Sequence, residues 1–167
     1  MKGTMNRDTK NYNIDEQKKL IASIPTLEKC ERFMANVMRL KIEELVAVVN
    51  RRMVEIRTEL NSHEIVSQHE RDMDHLEIIQ QLKVCLAAYE QTLKNKYAGR
   101  IRPQIAENGF IETVETMVQK RTRSDGFIKL RNLGLEEFLF EQVIIQNPEA
   151  FSEDAVAMSK ERLCIHC

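Results

Sequence analysis

TLEKCERFMANVMRLKIEELVAVVNRRMVEIRTEL, from Thr26 to Leu60, contains no glycine and no proline. Within it Cys30, Met34, Met38, Ile42, Leu45, Val49, Met53, Ile56 and Leu60 recur every three or four positions. That is the period of an α-helix with one apolar face, so the stretch predicts one continuous helix capped by Thr26. Phe33, Val37, Val46 and Val48 widen the stripe beyond a coiled-coil seam, which implies packing against more than one neighbour.

Working outward, Ile65, His69, Met73, Leu76, Ile79, Leu82, Leu86, Tyr89, Leu93 and Tyr97 keep the same spacing as far as Ala98. Asn61-Ser62 is a short polar corner between the two segments, so they are expected to fold back as an antiparallel hairpin. Gly99 is placed to end the second helix, with Lys94 and Lys96 in its last turn. On the other side, residues 1–12 are polar and aperiodic. Asn13 or Asp15 then caps a short helix bearing Leu20, Ile21 and Ile24 and stopped by Pro25. After Pro103, the residues Phe110, Ile111, Val114, Met117 and Val118 form a third amphipathic stretch, which runs into Lys120-Arg121-Thr122-Arg123.

The texture changes beyond residue 123. Ser124-Asp125-Gly126 is turn chemistry, and Phe127-Ile128-Lys129-Leu130-Arg131 alternates partly as a strand does. Residues 139–145 are rich in β-branched and aromatic side chains and read as a second strand, with a helix from Leu135 to Gln146 as the alternative. Ser152, followed by Glu153 and Asp154, caps a closing helix to about Leu163. The expected fold is therefore mainly α. A segment with a short helix (1–25) precedes a long antiparallel helical bundle (26–123), and a small β-containing module (124–167) closes the chain.

Composition sets the outer bounds. Among 167 residues there are 5 Gly, 3 Pro and no Trp, too little punctuation for an all-β sandwich or barrel. Twenty-five basic side chains face 26 acidic ones, which excludes a globally basic nucleic-acid binder and an acidic disordered chain. Along the chain the balance is uneven: residues 94–131 hold nine basic and four acidic side chains, residues 132–167 two basic and seven acidic. No apolar run is long enough to span a bilayer and no secretory leader is legible, so an intracellular protein with free thiols is expected.

Candidate chemistry is sparse. Five scattered glycines cannot build a phosphate-cradling loop, and no Gly-x-Ser-x-Gly occurs. Asp72 and His75 lie three apart on one helix face, half of a di-metal motif whose second half is missing; a solvated helix face with His69 partly buried is the expected reading. Cys164, His166 and Cys167 are of zinc-ligating type, but no second pair stands at ligand spacing, so ordinary terminal residues are expected and neither metal nor cofactor is assigned. The basic run is the better candidate: Lys94, Lys96, Arg100, Arg102, Lys120, Arg121 and Arg123 could meet phosphates or a partner protein.

A family likeness follows from the order of elements and from two stretches of text. Lys83-Val-Cys-Leu-Ala-Ala-Tyr89, continuing through Leu93 to Tyr97, resembles the signature helix of the GINS replication-complex subunits, although Glu90, Gln91 and Thr92 stand where that family has arginines. Phe127 to Leu133, then Val143 to Asn147, Phe151 and a last helix, is similar to the β module of the first Psf subunit; the Sld subunit shares the helical-domain-first layout. The likeness covers roughly residues 76–163. It implies a non-catalytic nuclear scaffold that forms a heterotetramer with other GINS-like subunits and joins replicative helicase components. Leu82, Leu86, Tyr89, Leu93, Phe127 and Leu130 are then the expected interface residues. The residues alone leave open a helical adaptor or self-associating coiled-coil protein, and a small nucleic-acid-binding regulator using residues 94–131.

Overall fold

A computed structural model describes residues 13–61, 69–93 and 98–163. The expectations for residues 1–12, Ser62, Ile65, Lys94, Lys96, Tyr97, Cys164, His166 and Cys167 lie outside the described residues. Among those described there is no strand, and the elements form a helical bundle.

The N-terminal part follows its local signals. Helix α1 (Ile14–Ala22) is capped by Asn13, whose side chain accepts from the N–H groups of Asp15 and Glu16. Helix α2 (Leu27–Leu40) is capped by Thr26, which accepts from the Lys29 N–H. The expected single helix to Leu60 is then interrupted, and α3 (Glu43–Asn61) begins after a left-handed residue, Lys41 at φ 56°. There the Ile42 N–H reaches the Val37 carbonyl and the Lys41 N–H that of Met38, a closed helix end normally built on glycine. Left-handed backbone costs a non-glycine residue about 1–2 kcal/mol, and packing supplies the compensation. The bend folds Cys30 and Val37 of α2 onto Leu45, Val49, Met53 and Ile56 of α3, with Ile21 and Ile24 completing the cluster. A straight helix would leave the α2 stripe in water.

Helices α4 (Glu70–Met73) and α5 (Leu76–Thr92) follow, but no simple hairpin forms with α3. Arg57 donates to the Gln91 side chain (2.9 Å), Asn61 donates to Glu90 (2.9 Å), and Gln91 reaches the Met53 sulfur (3.4 Å). Two turns of α3, about 12 Å at helical rise, thus face two adjacent residues at the far end of α5. The helices cross there, whereas a hairpin would set Asn61 beside Leu76. Gly99 also does not end α5. It lies in the first turn of α6 (Ala98–Asn108), which accommodates Pro103 inside the helix.

Helix α7 (Phe110–Val118) starts as its apolar spacing predicts, and Asp72 fixes that start. The Asp72 carboxylate accepts from the N–H groups of Phe110 (2.7 Å) and Ile111 (3.1 Å). Gly109, at φ 83°, lies so close that an added Cβ would come within 2.9 Å of this carboxylate. The expected solvated face around Asp72 is therefore corrected. Asp72 is buried, and it satisfies two donors at the positive end of α7.

The expected β module is helical. Helix α8 (Asp125–Asn132) is capped by Ser124, whose hydroxyl accepts from the Phe127 N–H, and it is closed by Gly134 at φ 66°. A 3-10 turn (Glu136–Phe138) leads into α9 (Phe140–Gln146). A second 3-10 turn (Pro148–Ala150) precedes α10 (Glu153–Arg162), capped by Ser152 as expected. Burial gives the physical reason. Phe127 and Leu130 are buried while Ile128 is exposed, and Phe140, Val143 and Ile144 are buried together. Spacings of three and four present one face only to a helix, so tertiary contact overrides β propensity here. These side chains share one core with α5, α6 and α7, where the Phe140 ring stacks on Tyr89 at 4.7 Å.

Candidate functional site

The end of α5, α6, the end of α7 and the start of α8 enclose a cleft of about 930 Å³. Arg100 enters it from α6, Lys120 and Arg123 from the α7–α8 connection, and Lys129 from the exposed side of α8. Asp125 is the one carboxylate among the described lining residues; Leu93, Ile101 and Met117 add an apolar part. Among the described lining residues four cations against one anion make the cleft electropositive, and low-dielectric walls concentrate such a field.

Buried contacts hold the connection between α7 and α8 in place. Arg162 of α10, itself buried, donates to Glu141 Oε1 (3.0 Å), to the Thr122 carbonyl (3.4 Å) and to the Lys120 carbonyl. The backbone of the basic run is thereby tied inward, while the Lys120, Arg121, Thr122 and Arg123 residues are exposed. Glu141 is 2% exposed and its Oε2 has no hydrogen-bond partner. Burial pushes its carboxyl above the ordinary value, only partly offset by its own backbone N–H, by Arg162 and by the charge of Arg123. On the opposite wall, Gly126 lets the first turn of α8 sit directly on the Tyr89 ring. The guanidinium of Arg123 lies over the Phe127 ring at 5.4 Å, which orients this cleft cation, and that of Arg131 lies 5.9 Å from the same ring.

Two further buried carboxylates are structural. Glu90, 1% exposed, receives Arg102 through two bonds (2.7 and 3.1 Å) besides Asn61, and so pins α6 across α5 and α3. Glu115 receives Arg71 twice (2.8 and 3.0 Å) and the Ser152 N–H (2.5 Å), joining α4, α7 and the start of α10. Burial raises the Glu115 carboxyl, but the bonds from Arg71 and Ser152 outweigh it and leave it below its usual value. Burial also drives the Cys85 thiol far up, so this cysteine is no nucleophile.

Of the seven basic residues singled out from the sequence, Arg100, Lys120 and Arg123 line the cleft. Arg102 turns inward to Glu90, Arg121 is exposed outside the lining, and Lys94 and Lys96 lie outside the described residues. Lys129, within the basic 94–131 segment but not among the residues singled out, joins the cleft from α8, where it stands four residues from Asp125 on one face. The expected interface residues are mostly interior. Leu82, Leu86, Tyr89, Phe127 and Leu130 are buried in this chain's own core, and Leu93 borders the cleft.

No family model, no curated protein and no solved structure matches the chain. Among the described residues no three His, Cys, Asp or Glu side chains converge as a metal site would require, and no helix is long and apolar enough to cross a membrane.

Proposed function

We propose that this chain is a non-catalytic nucleic-acid-binding regulator whose cleft holds a phosphodiester backbone. The observation that carries the reading is the convergence of Arg100 from α6, Lys120 and Arg123 from the α7–α8 connection, and Lys129 from α8 on one cleft of about 930 Å³. Among the described lining residues there is no aromatic ring, so contact is read as with phosphates and little base selectivity is expected. Binding of a labelled single-stranded oligonucleotide to the full chain, measured across salt concentrations, tests this. Four phosphate contacts predict a slope of log K against log salt of about −3. Changing Lys120, Arg123 and Lys129 together to glutamine should bring it to about −1. No binding at low salt, or a slope indifferent to these substitutions, would refute the reading.

A second reading is the replication scaffold. Two observations support it: the Lys83–Tyr89 text stands intact within α5, and Leu60, Met73 and Leu76 are exposed apolar side chains available to a partner helix. The other half of the likeness, a strand-turn-strand order after residue 127, is lost to α8 and α9. This reading expects nuclear location, co-purification with other GINS-like subunits, and aggregation of the chain expressed by itself. A well-behaved monomer that captures none of them would remove it.

A further inference from the structure

We propose that Ser124 is a phosphorylation site, modified by a basic-directed protein kinase, and that the phosphate it acquires occupies the cleft and excludes nucleic acid. The second half rests on the function proposed above; the first does not. Ser124 lines the cleft together with Arg100, Lys120, Arg123 and Lys129. It is partly exposed and its backbone is extended, with φ −71° and ψ 156°, the conformation a kinase groove accepts. Arg121 stands three residues before it, exposed and outside the cleft lining, free to meet an acidic kinase subsite while Arg162 holds the Lys120 and Thr122 carbonyls inward. Among the described serines and threonines no other has a basic residue three positions upstream: Thr122 has Gln119 there and Ser152 has Glu149.

In the reaction the Ser124 oxygen forms a bond to the γ-phosphorus of a nucleoside triphosphate, the bond to the β-phosphate oxygen breaks, and the hydroxyl proton leaves to the kinase base. The product is phosphoserine and a nucleoside diphosphate. The phosphate then sits at the positive end of α8, where the serine oxygen already accepts from the Phe127 N–H (3.2 Å), with four cations on the same cleft. A doubly charged group there neutralises about two of the four contacts open to a nucleic-acid backbone.

The full chain is incubated with a basic-directed serine/threonine kinase and magnesium ATP, and the modified position is mapped by mass spectrometry. Modification at Ser124 is expected; an unmodified Ser124, or phosphate on Thr122 instead, overturns the proposal. The phosphorus-31 titration of the phosphorylated chain is then followed with pH. Contact with the cleft cations should lower the second phosphate pKa by at least about half a unit from its usual value of about 6, and R123Q with K129Q should restore it. Oligonucleotide affinity should fall about tenfold or more, with a shallower salt slope. An unshifted titration, or unchanged affinity in a chain that binds, sinks the blocking role. If the unmodified chain binds no oligonucleotide, the proposed function fails separately, and the mapping and titration still decide the phosphate's place.

Discussion

Replacing Arg162 with methionine lowers the stability of the chain by about 3–5 kcal/mol, the usual consequence of stripping one partner from a buried ion pair. Glu141 already has one oxygen without a partner; the substitution removes the donor to the other. The carbonyls of Lys120 and Thr122 lose the same guanidinium, so the basic connection loosens as well. Urea unfolding at neutral pH reads the loss, and a combined Arg162→Met and Glu141→Leu variant should recover most of it, because an apolar pair leaves no stranded charge. A milder outcome for the single variant than for the pair would contradict the assignment. The pH dependence has a definite sign. Burial lifts the Glu141 carboxyl, so between its ordinary and its lifted value the folded chain holds a proton that the unfolded chain has released. This contribution is complete below the ordinary carboxylate range and is lost as pH rises through the lifted value. Without Arg162 the carboxyl rises further. The R162M defect should therefore be smaller in acid than at neutral pH, and E141Q should abolish the slope.

Gly126→Ala should cost about 3 kcal/mol, at the severe end for overpacking by one methyl. The added Cβ would lie 2.4 Å from Cδ1 and 2.6 Å from Cε1 of Tyr89. The ring cannot retreat, because Phe140 stacks on its neighbourhood at 4.7 Å with the planes 13° apart. Backbone conformation plays no part: Gly126 is in the first turn of α8, and alanine is the better helix former by about 1 kcal/mol. The loss is thus crowding alone. Gly134→Ala is the internal control, since its Cβ would meet only Ala47 at 3.8 Å and its penalty comes from φ 66°. Thermal unfolding that ranks G134A as more damaging than G126A would overturn this account of the α5–α8 contact.

Much of the helical content is written locally. Asn13, Thr26, Ser124 and Ser152 all cap helices through their side chains; the apolar spacing of α7 matches its buried face, and of the α5 stripe Ile79, Leu82, Leu86 and Tyr89 are buried while Leu76 is exposed. What could not be read depends on contacts distant in sequence. Nothing at Lys41 announces a left-handed residue; only the pairing of α2 with α3 makes it favourable. Phe127 to Arg131 carries strand-like text, yet Phe127 and Leu130 are buried three apart because α5 offers a helix-shaped groove. For the cleft, the positive segment was legible but its geometry was not. Arg102 looked equivalent to Arg100 until Glu90 claimed it, and Lys129 entered only when α8 proved helical.

The break at Lys41 reaches further than the path of the chain. By folding α2 back onto α3 it completes one of two apolar bodies, the one built by α1, α2 and one side of α3; the other is built by α5 to α10 with Val54 of α3 reaching into it. Helix α3 is a shared wall: Leu45, Val49, Met53 and Ile56 face the first body, Val54 the second. Cooperative units in a protein tend to follow such partitions. On that partition the N-terminal body is expected to open as a foldon of its own while α5, α6 and α8 keep the cleft assembled, and a change in α1 or α2 reaches the cleft through α3, whose Arg51 meets Gly134 and Glu137 and whose Val54 enters the second core.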